Sequence, residues 1–398
     1  MTDEALEDFP LTEVRKDTPG VNEVIHFNNC GSALPPTPVL ETVISHLQRE
    51  ATIGGYEAAD EAQNRLQNVY SSAARLIGAK PEEIAVVENA TRAWDMAVYG
   101  YKFRVGDRVL LCRAEYVSNV IALLHLKKRY QIEIVLIEDD EYGQIDSNHL
   151  EEELKKGAAM VTLTHIPTSG GLINPAKEVG TLCTAYDTFF VLDACQSIGQ
   201  VPIDVNDIGC DVLSATSRKY LRGPRGVGFL YVKNSALEEI EPPFLDLHAA
   251  TWTDDNEYVI NAGAKRFENW ETNFAGKLGL GAAIDYALDL SIERTSLRLK
   301  KLAETLRSKL ANIDRVSVHD QGQNKGGITT FSFEGLEGEV VSRKLGEQKI
   351  NTSTTSSGAA RYDLDYRGIP TVVRASTHYY NTEEEIDTFV AAVAKLGK

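Results

Sequence analysis

The stretch SATSRKYLRGPRG, residues 214–226, places Lys219 between small hydroxyl residues and a glycine-rich turn. Upstream, the stretch FFVLDACQS, residues 189–197, begins as an apolar run that ends in Asp193, 26 residues before the lysine. Short apolar runs bounded by turn residues are typical of strands that are buried on both faces of a parallel sheet. Ligands bind outside the carboxyl ends of such strands, and we therefore expect Asp193 and Lys219 to meet at one ligand site.

Short apolar runs alternate with helical patterns along most of the chain. We predict strands over residues 84–87, 108–112, 132–137, 160–165, 189–193, 212–215 and 228–232. Helical patterns lie between most of them, for example at residues 60–77, 91–101 and 119–129. This alternation predicts an α/β fold, with a large domain built on a mostly parallel, seven-stranded sheet.

The pattern changes after about residue 276. The later segments are a long helical stretch, an alternating segment, a Ser/Thr/Gly-rich loop, an apolar run and a last amphipathic helix, at residues 277–310, 327–333, 351–360, 371–375 and 383–396. This order predicts a smaller C-terminal α+β domain. We place an N-terminal segment at residues 1–25, the large domain at 26–285 and the small domain at 286–398.

The composition narrows the classes of partner. The chain has 41 Lys and Arg against 58 Asp and Glu, and its formal net charge of −17 argues against nucleic acids and anionic membranes as partners. No apolar run is long enough to span a bilayer, and the acidic residues 1–7 do not resemble a targeting signal. The five cysteines lack CxxC spacing, which predicts reduced cytosolic thiols and no metal site: Cys30, Cys112, Cys183, Cys195 and Cys210. We therefore expect a cytoplasmic protein with a small-molecule ligand.

A lysine and an acid at neighbouring strand ends suit pyridoxal phosphate (PLP), a cofactor that a lysine holds as a Schiff base. Lys219 is the predicted Schiff-base lysine and catalytic base, and Asp193 is the carboxylate that keeps the pyridine nitrogen protonated. Gln196 is placed to bond the cofactor's phenolate oxygen, although a helix-surface glutamine would give the same pattern. Asp193 could also serve only as a cap, and the arginines near Lys219 could form a solvated basic loop. The pairing of lysine and acid favours the cofactor site.

The cofactor phosphate needs donors at a helix N-terminus. Thr91 and Arg92 begin a predicted helix shortly after a strand, and Thr216 and Arg218 can reach the same group from beside the lysine. Tyr116 follows another strand, where it could stack on the pyridine ring or belong to the core. These residues complete the predicted cofactor site.

Two further polar residues lie where contacts with cofactor or substrate are expected. His165 ends a predicted strand and could line the site or be a satisfied structural histidine. Arg374 lies within an apolar run, and a buried arginine needs an anionic partner. A substrate α-carboxylate, held bidentately, would be such a partner, and a structural ion pair is the alternative.

These motifs resemble those of the class V aminotransferase family of PLP enzymes. The resemblance runs from about residue 27 to the C-terminus, and its motifs are VLDACQS at 191–197, TSRK at 216–219 and VRAS at 373–376, followed by YNTEE at 380–384. It implies fold type I and an obligate homodimer whose active sites lie at the subunit interface. The segment at 266–273 resembles the one that reaches into the partner's site, although Phe274 and Ala275 stand where the family usually has a threonine.

Departures from the family's pattern reduce the number of reactions that we expect of this chain. Cysteine desulfurases of the family carry a nucleophilic cysteine on the loop before the VRAS run. Residues 351–362 contain no cysteine, and none follows Cys210. Thr168 stands at the position of the family's asparagine, and the resemblance implies a cofactor contact there. A desulfurase that forms a persulfide on this loop would therefore lack its nucleophile.

The stretch IGGYE at residues 53–57 resembles the branch of hercynylcysteine sulfoxide lyase and isopenicillin N epimerase. The resemblance implies substrate contacts for Tyr56 in this stretch and for Asn29 near the expected substrate entrance. We predict a PLP-dependent enzyme that acts on an amino acid, with a C–S lyase favoured, which would eliminate sulfur from an S-substituted cysteine without an enzyme persulfide. An epimerase or aminotransferase of the same family shares the first steps, and a catalytically silent PLP-binding module is a further alternative.

Overall fold

A computed structural model describes residues 9–397. The acidic N-terminal stretch, from which we predicted the absence of a targeting signal, lies outside the described residues. The strands are β1 Ile25–His26, β2 Ile84–Val87, β3 Arg108–Leu111, β4 Glu133–Leu136, β5 Met160–Thr164, β6 Phe189–Asp193, β7 Val212–Thr216, β8 Gly228–Val232, β9 Ala250–Asp254, β10 Glu257–Ile260, β11 Val316–Val318, β12 Ile328–Phe333, β13 Ile350–Asn351, β14 Ser353–Ser356 and β15 Thr371–Ser376.

The α-helices alternate with the strands of the first two thirds of the chain and flank those of the last third. They are α1 Leu11–Lys16, α2 Thr37–Ile53, α3 Gly55–Glu61, α4 Gln63–Ile77, α5 Ala90–Val98, α6 Val117–Tyr130, α7 Ser147–Leu154, α8 Ala176–Ala185, α9 Val205–Ile208, α10 Phe274–Asp289, α11 Ile292–Ala311, α12 Gly338–Gly346 and α13 Glu383–Ala394.

The large sheet has seven strands in the order β2-β8-β7-β6-β5-β3-β4. Only β8 runs antiparallel to its neighbours, so the predicted mostly parallel, seven-stranded sheet is confirmed. The register sets Thr164 opposite Asp193 and Asp193 opposite Ser214. Polar residues from three adjacent strands therefore meet at one carboxyl edge of the sheet.

Both faces of this sheet are covered by apolar packing. On β6, Phe190 and Leu192 belong to one buried cluster, while Val191 belongs to the cluster on the opposite face together with Trp94 of α5. Successive side chains of a strand point to opposite faces, so a strand between two cores must be apolar throughout. This explains why the run at 189–192 shows no polar alternation.

The C-terminal lobe is built on a four-stranded antiparallel sheet in the order β11-β12-β15-β14. Phe331 and Phe389 pack in its core with Val373. Phe27 belongs to the same core, and β1 pairs in parallel with β13. The chain around β1 therefore packs with the C-terminal lobe, although the domain prediction assigned residues from 26 onward to the large domain.

The single helix predicted over 277–310 is wrong in one respect, because the chain there forms two helices. Helix α10 ends at Asp289, and Ser291 has a φ of 63°, in the left-handed region that interrupts a right-handed helix. The Ser291 side chain then accepts a hydrogen bond from a backbone N–H and caps α11. Buried apolar residues such as Ala287 and Ile292 stand on both sides of the break, so the composition of the stretch does not show it.

Candidate active site

Lys219 lies in the turn after β7, and its side chain is only 6% exposed. It lines a cavity of about 440 Å³ at the carboxyl edge of the large sheet. Most of the predicted cofactor residues line this cavity with it: Thr91, Tyr116, Asp193, Thr216 and Arg218. The structure thus brings together residues that are more than a hundred positions apart in sequence.

Asp193 is a buried carboxylate without a cationic partner within ion-pair distance among residues 9–397. Its Oδ1 accepts a hydrogen bond from the backbone N–H of Cys195 at 2.8 Å, and its Oδ2 accepts one from Nδ2 of Asn119 at 3.0 Å. Burial raises the pKa of Asp193, against the lowering effect of these hydrogen bonds and of Lys219. A positive charge nearby would stabilise the ionised form of this buried carboxylate, and a protonated pyridine nitrogen would supply that charge.

The end of the cavity near helix α5 suits a phosphate. Asn89 caps α5 by accepting a hydrogen bond from the backbone N–H of Arg92 at 2.9 Å, and Thr91 lines the cavity at the first turn. Arg218 and Arg225 line the cavity, and their guanidinium groups have no hydrogen bond or ion pair within the part of the chain that the structure describes. A helix N-terminus with two unpaired guanidinium groups is an anion site, so the residues present fit the cofactor's phosphate.

The side chain of Arg92, in contrast, does not line the cavity. Its Nε lies 3.9 Å from a carboxylate oxygen of Glu88, and its guanidinium lies over the ring of Phe244 at 4.9 Å. Arg92 therefore belongs to the helix turn next to the predicted phosphate site, but its guanidinium does not take part in that site.

Gln196, Thr168 and Arg374 form a second, hydrogen-bonded group. Gln196 donates from Nε2 to the Thr168 hydroxyl at 3.1 Å and to the carbonyl of Cys30 at 3.1 Å. Arg374 donates from one terminal nitrogen to the same hydroxyl at 2.6 Å. Neither Gln196 nor Arg374 lines the Lys219 cavity, and Oε1 of Gln196 and Nε of Arg374 are buried without a hydrogen-bond partner among residues 9–397.

Tyr116 follows β3 and precedes α6, where its half-buried side chain faces the cavity. Its backbone N–H donates to Oε1 of Glu115 at 2.8 Å and lies 3.3 Å from the hydroxyl of Thr164. These two contacts fix the main chain of Tyr116. A fixed main chain suits a tyrosine whose ring stacks on a planar cofactor.

The structure does not bring His165 into the cavity. Its buried ring lies with Pro175 and Lys177 along another cavity, and burial lowers its pKa to about 4. The ring does not line the Lys219 cavity, and its Nδ1 has no hydrogen-bond partner among residues 9–397, so it is not the satisfied structural histidine of the alternative either.

The two predicted substrate contacts near the entrance also lie elsewhere in this chain. Asn29 is fully buried, and its amide donates to the carbonyls of His26 and Ser376 while its oxygen accepts from the hydroxyl of Tyr380. Its hydrogen-bonding capacity is thus used within the protein. Tyr56 lies in α3 and is 71% exposed, so it contacts no site within its own subunit.

The sequence prediction missed Asn119 and Arg225, which line the same cavity. Asn119 lies in the first turn of α6, three residues after Tyr116, so its face of the helix is the one that covers the sheet edge. Arg225 lies in the GPRG turn that was already part of the diagnostic stretch. The sequence signals were the helical spacing between Tyr116 and Asn119 and the presence of Arg225 in the turn that follows Lys219.

The thiols of the chain are placed for packing. All five cysteines are free, and burial raises the pKa values of Cys112, Cys183, Cys195 and Cys210, which keeps these thiols protonated. Cys195 lines the cavity, whereas the loop of residues 351–362 contains no thiol. Among residues 9–397 no group of His, Cys, Asp and Glu could hold a metal ion, and no helix is long and apolar enough to cross a membrane.

Comparison with known proteins agrees with this geometry. The family model for aminotransferase class-V matches residues 25–389. A probable cysteine desulfurase of Methanothermobacter thermautotrophicus is 30% identical over 385 residues, covering 95% of this chain and 96% of that protein. The apo structure of a cysteine desulfurase from Thermococcus onnurineus NA1 superposes with a TM-score of 0.90 at 27% identity, covering 98% of each chain. A cystine C–S lyase in complex with cysteine persulfide shares the fold, with a TM-score of 0.86 at 24% identity over 95% of this chain and 99% of that one. The chain therefore belongs to the aminotransferase class-V family, with fold type I, and is a PLP-dependent enzyme.

Proposed function

We propose that this enzyme is a C–S lyase that eliminates the sulfur substituent of an S-substituted cysteine without forming an enzyme persulfide. The observation that carries the proposal is the chemistry of the loop at residues 351–362, which offers hydroxyl groups and no thiol. Its chain runs through β13 and β14 into a helical turn at Arg361–Asp365. An enzyme with no thiol at this position has no loop nucleophile to accept sulfur.

Each proposed site residue has a task that its surroundings support. Thr91, Thr216, Arg218 and Arg225 would hold the phosphate, and Asp193 would hold a proton on the pyridine nitrogen. Bound in this way, PLP supplies an electron sink for a substrate carbanion. The buried Lys219 would hold the cofactor and would take the proton from Cα of the substrate.

Arg374, Thr168 and Gln196 would orient the substrate and the ring. The free Nε of Arg374 lies beside the terminal nitrogen that Thr168 fixes, so the guanidinium is oriented for a carboxylate. When Lys219 removes the Cα proton, the electron pair forms the Cα–Cβ double bond and the Cβ–S bond breaks. The sulfur leaves as a thiolate or persulfide anion, and the remaining enamine hydrolyses to pyruvate and ammonia.

The product distribution tests this proposal. Purified enzyme with PLP is incubated with cysteine, with cystine and with S-alkyl cysteines, and pyruvate, released thiol, released persulfide, alanine, keto acids and the stereochemistry of unreacted substrate are measured separately. We expect one pyruvate for each thiol released from an S-alkyl cysteine and one for each cysteine persulfide released from cystine. Alanine as the main product, with a persulfide trapped on the enzyme, would refute the lyase proposal in favour of a desulfurase.

Two cysteine variants and the identity of the products distinguish the lyase from the alternative functions. Cys195→Ala removes the only thiol among residues 9–397 that lines the Lys219 cavity, and Cys183→Ala, at a buried position away from that cavity, is its control. Both should retain pyruvate formation, because no thiol takes part in elimination. Inverted substrate without pyruvate would indicate an epimerase, keto acid would indicate an aminotransferase, and an unreactive PLP chromophore would indicate a binding module.

We also propose that the protein works as a homodimer, as the family resemblance implies, and that it is cytoplasmic, as the five scattered cysteines indicate. Apolar side chains are exposed around the segment at 266–273, including Trp270 in that segment and Trp252 of β9, which is 77% exposed. Such large exposed aromatic residues are typical of an interface. Light scattering should give twice the mass of the 43.8 kDa chain, and a monomer that binds PLP with full activity would contradict this proposal.

A further inference from the structure

Beneath the cofactor cavity lies a buried polar group formed by Glu115, Asn119, Thr162, Thr164 and Asp193. All are less than a tenth exposed. The two carboxylates come from different segments, because Glu115 follows β3 and Asp193 ends β6. The single amide of Asn119 lies between them. Two buried carboxylates with no cation between them are costly, so their hydrogen bonds decide how they are held.

The amide nitrogen of Asn119 bonds both acids. Nδ2 donates to Oε1 of Glu115 at 2.9 Å and to Oδ2 of Asp193 at 3.0 Å. An amide NH₂ has two hydrogens, so this geometry uses its full donor capacity. Since the backbone N–H of Cys195 holds Oδ1 of Asp193, both carboxylate oxygens are fixed and the group cannot rotate freely.

Glu115 in turn is anchored from the sheet. Its Oε1 also accepts from the Thr164 hydroxyl and from the backbone N–H of Tyr116, and its Oε2 accepts from Thr162 at 3.2 Å. The same carboxylate thus fixes Asn119 and the main chain of the ring-stacking candidate. Burial raises the pKa of Glu115, and the nearby charge of Asp193 adds to the effect.

We infer that Asn119, anchored by Glu115, is a positioning residue that orients the Asp193 carboxylate toward the pyridine nitrogen and keeps it ionised. This inference rests on the proposed role of Asp193 in the active site. Without the amide, Oδ2 of Asp193 would lose its donor and face the Glu115 carboxylate directly. Asp193 would then become the stronger base and would take the shared proton from the ring nitrogen.

The experiment uses the PLP-loaded enzyme with ¹⁵N at the ring nitrogen. The NMR shift of that nucleus reports its protonation, and equilibrium dialysis gives the PLP dissociation constant. We expect Asn119→Ala to move the ring signal toward the unprotonated position and to weaken PLP binding about tenfold, as loss of a hydrogen bond to a charged group implies. If that variant does not fold, the same measurements on Asn119→Ser, which cannot bridge two carboxylates, replace it.

Asn174→Ala is the matched control. Asn174 is also buried at this sheet edge and bonds the carbonyl of Thr164 at 2.7 Å, but it makes no contact with Asp193. It should lower the denaturation midpoint and leave the ring signal unchanged.

The Asp193→Asn variant distinguishes the proposed role of Asp193 at the ring nitrogen from the positioning role of Asn119. If it leaves the ring signal protonated, the assignment of Asp193 fails and the positioning role of Asn119 fails with it, whereas the proposed C–S lyase activity is tested separately by its products. If Asp193→Asn shifts the signal while Asn119→Ala and Asn119→Ser do not, the assignment of Asp193 stands and the positioning role of Asn119 is refuted. A shift in Asn174→Ala equal to that in Asn119→Ala would likewise overturn it, since the effect would then be one of general packing.

Discussion

Replacing Arg374 with alanine should weaken substrate binding strongly while leaving cofactor binding intact. In the structure one terminal nitrogen of Arg374 bonds the Thr168 hydroxyl at 2.6 Å, and Nε is buried without a partner. A bidentate carboxylate would satisfy that nitrogen. Loss of such a charge-assisted contact costs roughly 2–5 kcal/mol. Since about 1.4 kcal/mol corresponds to a factor of ten, KM should rise about thirtyfold to several thousandfold.

The assay compares KM and kcat for S-alkyl cysteine with the PLP dissociation constant. Arg374→Lys should recover only part of the affinity, because an ammonium group cannot replace the planar fork. Thr168→Val removes the hydroxyl that orients the guanidinium and should raise KM by about threefold to tenfold. Arg367→Ala is the control, since Arg367 bonds Asp363 and the carbonyl of His319 instead. Unchanged KM in both Arg374 variants would show that this arginine is structural.

Two further predictions follow from single residues. Lys219→Ala should abolish turnover and covalent PLP attachment; borohydride reduction of the wild type should label the peptide that contains Lys219, and label on another lysine would refute the assignment. Burial raises the pKa of Asp139 to about 7, opposed by Arg113 and assisted by the nearby Asp363, Glu138 and Asp140. Asp139 therefore binds its proton more tightly in the folded state, and its contribution to stability is present below about pH 4 and lost as the pH rises through about 7. Asp139→Asn should remove this loss, so its denaturation midpoint relative to the wild type should increase between about pH 5 and pH 8, and a constant difference would contradict the prediction.

Local patterns were sufficient to predict the large sheet and its seven strands. The runs 189–192 and 229–232 carry only apolar or aromatic side chains, which is typical of a strand between two helical layers. The ligand site at the turn that follows β7 was also predictable, because a lysine among hydroxyl residues, arginines and glycines has few purely structural explanations. The break at Ser291 was not predictable in this way, since a left-handed φ at one residue leaves the apolar periodicity of both flanking helices intact.

The sequence by itself determined the fold class, the Lys219 and Asp193 pair and the absence of a thiol on the 351–362 loop, because each of these is a property of residue types over a short stretch. Only the tertiary structure decided which strand-end residues meet. It turned His165 away from the cavity, used the amide of Asn29 in internal bonds and set Asn119 between Glu115 and Asp193. The physical reason is that the direction of a side chain at a strand end depends on strand register and on the packing of the helix that follows. Neither quantity is encoded in the few residues around the position itself.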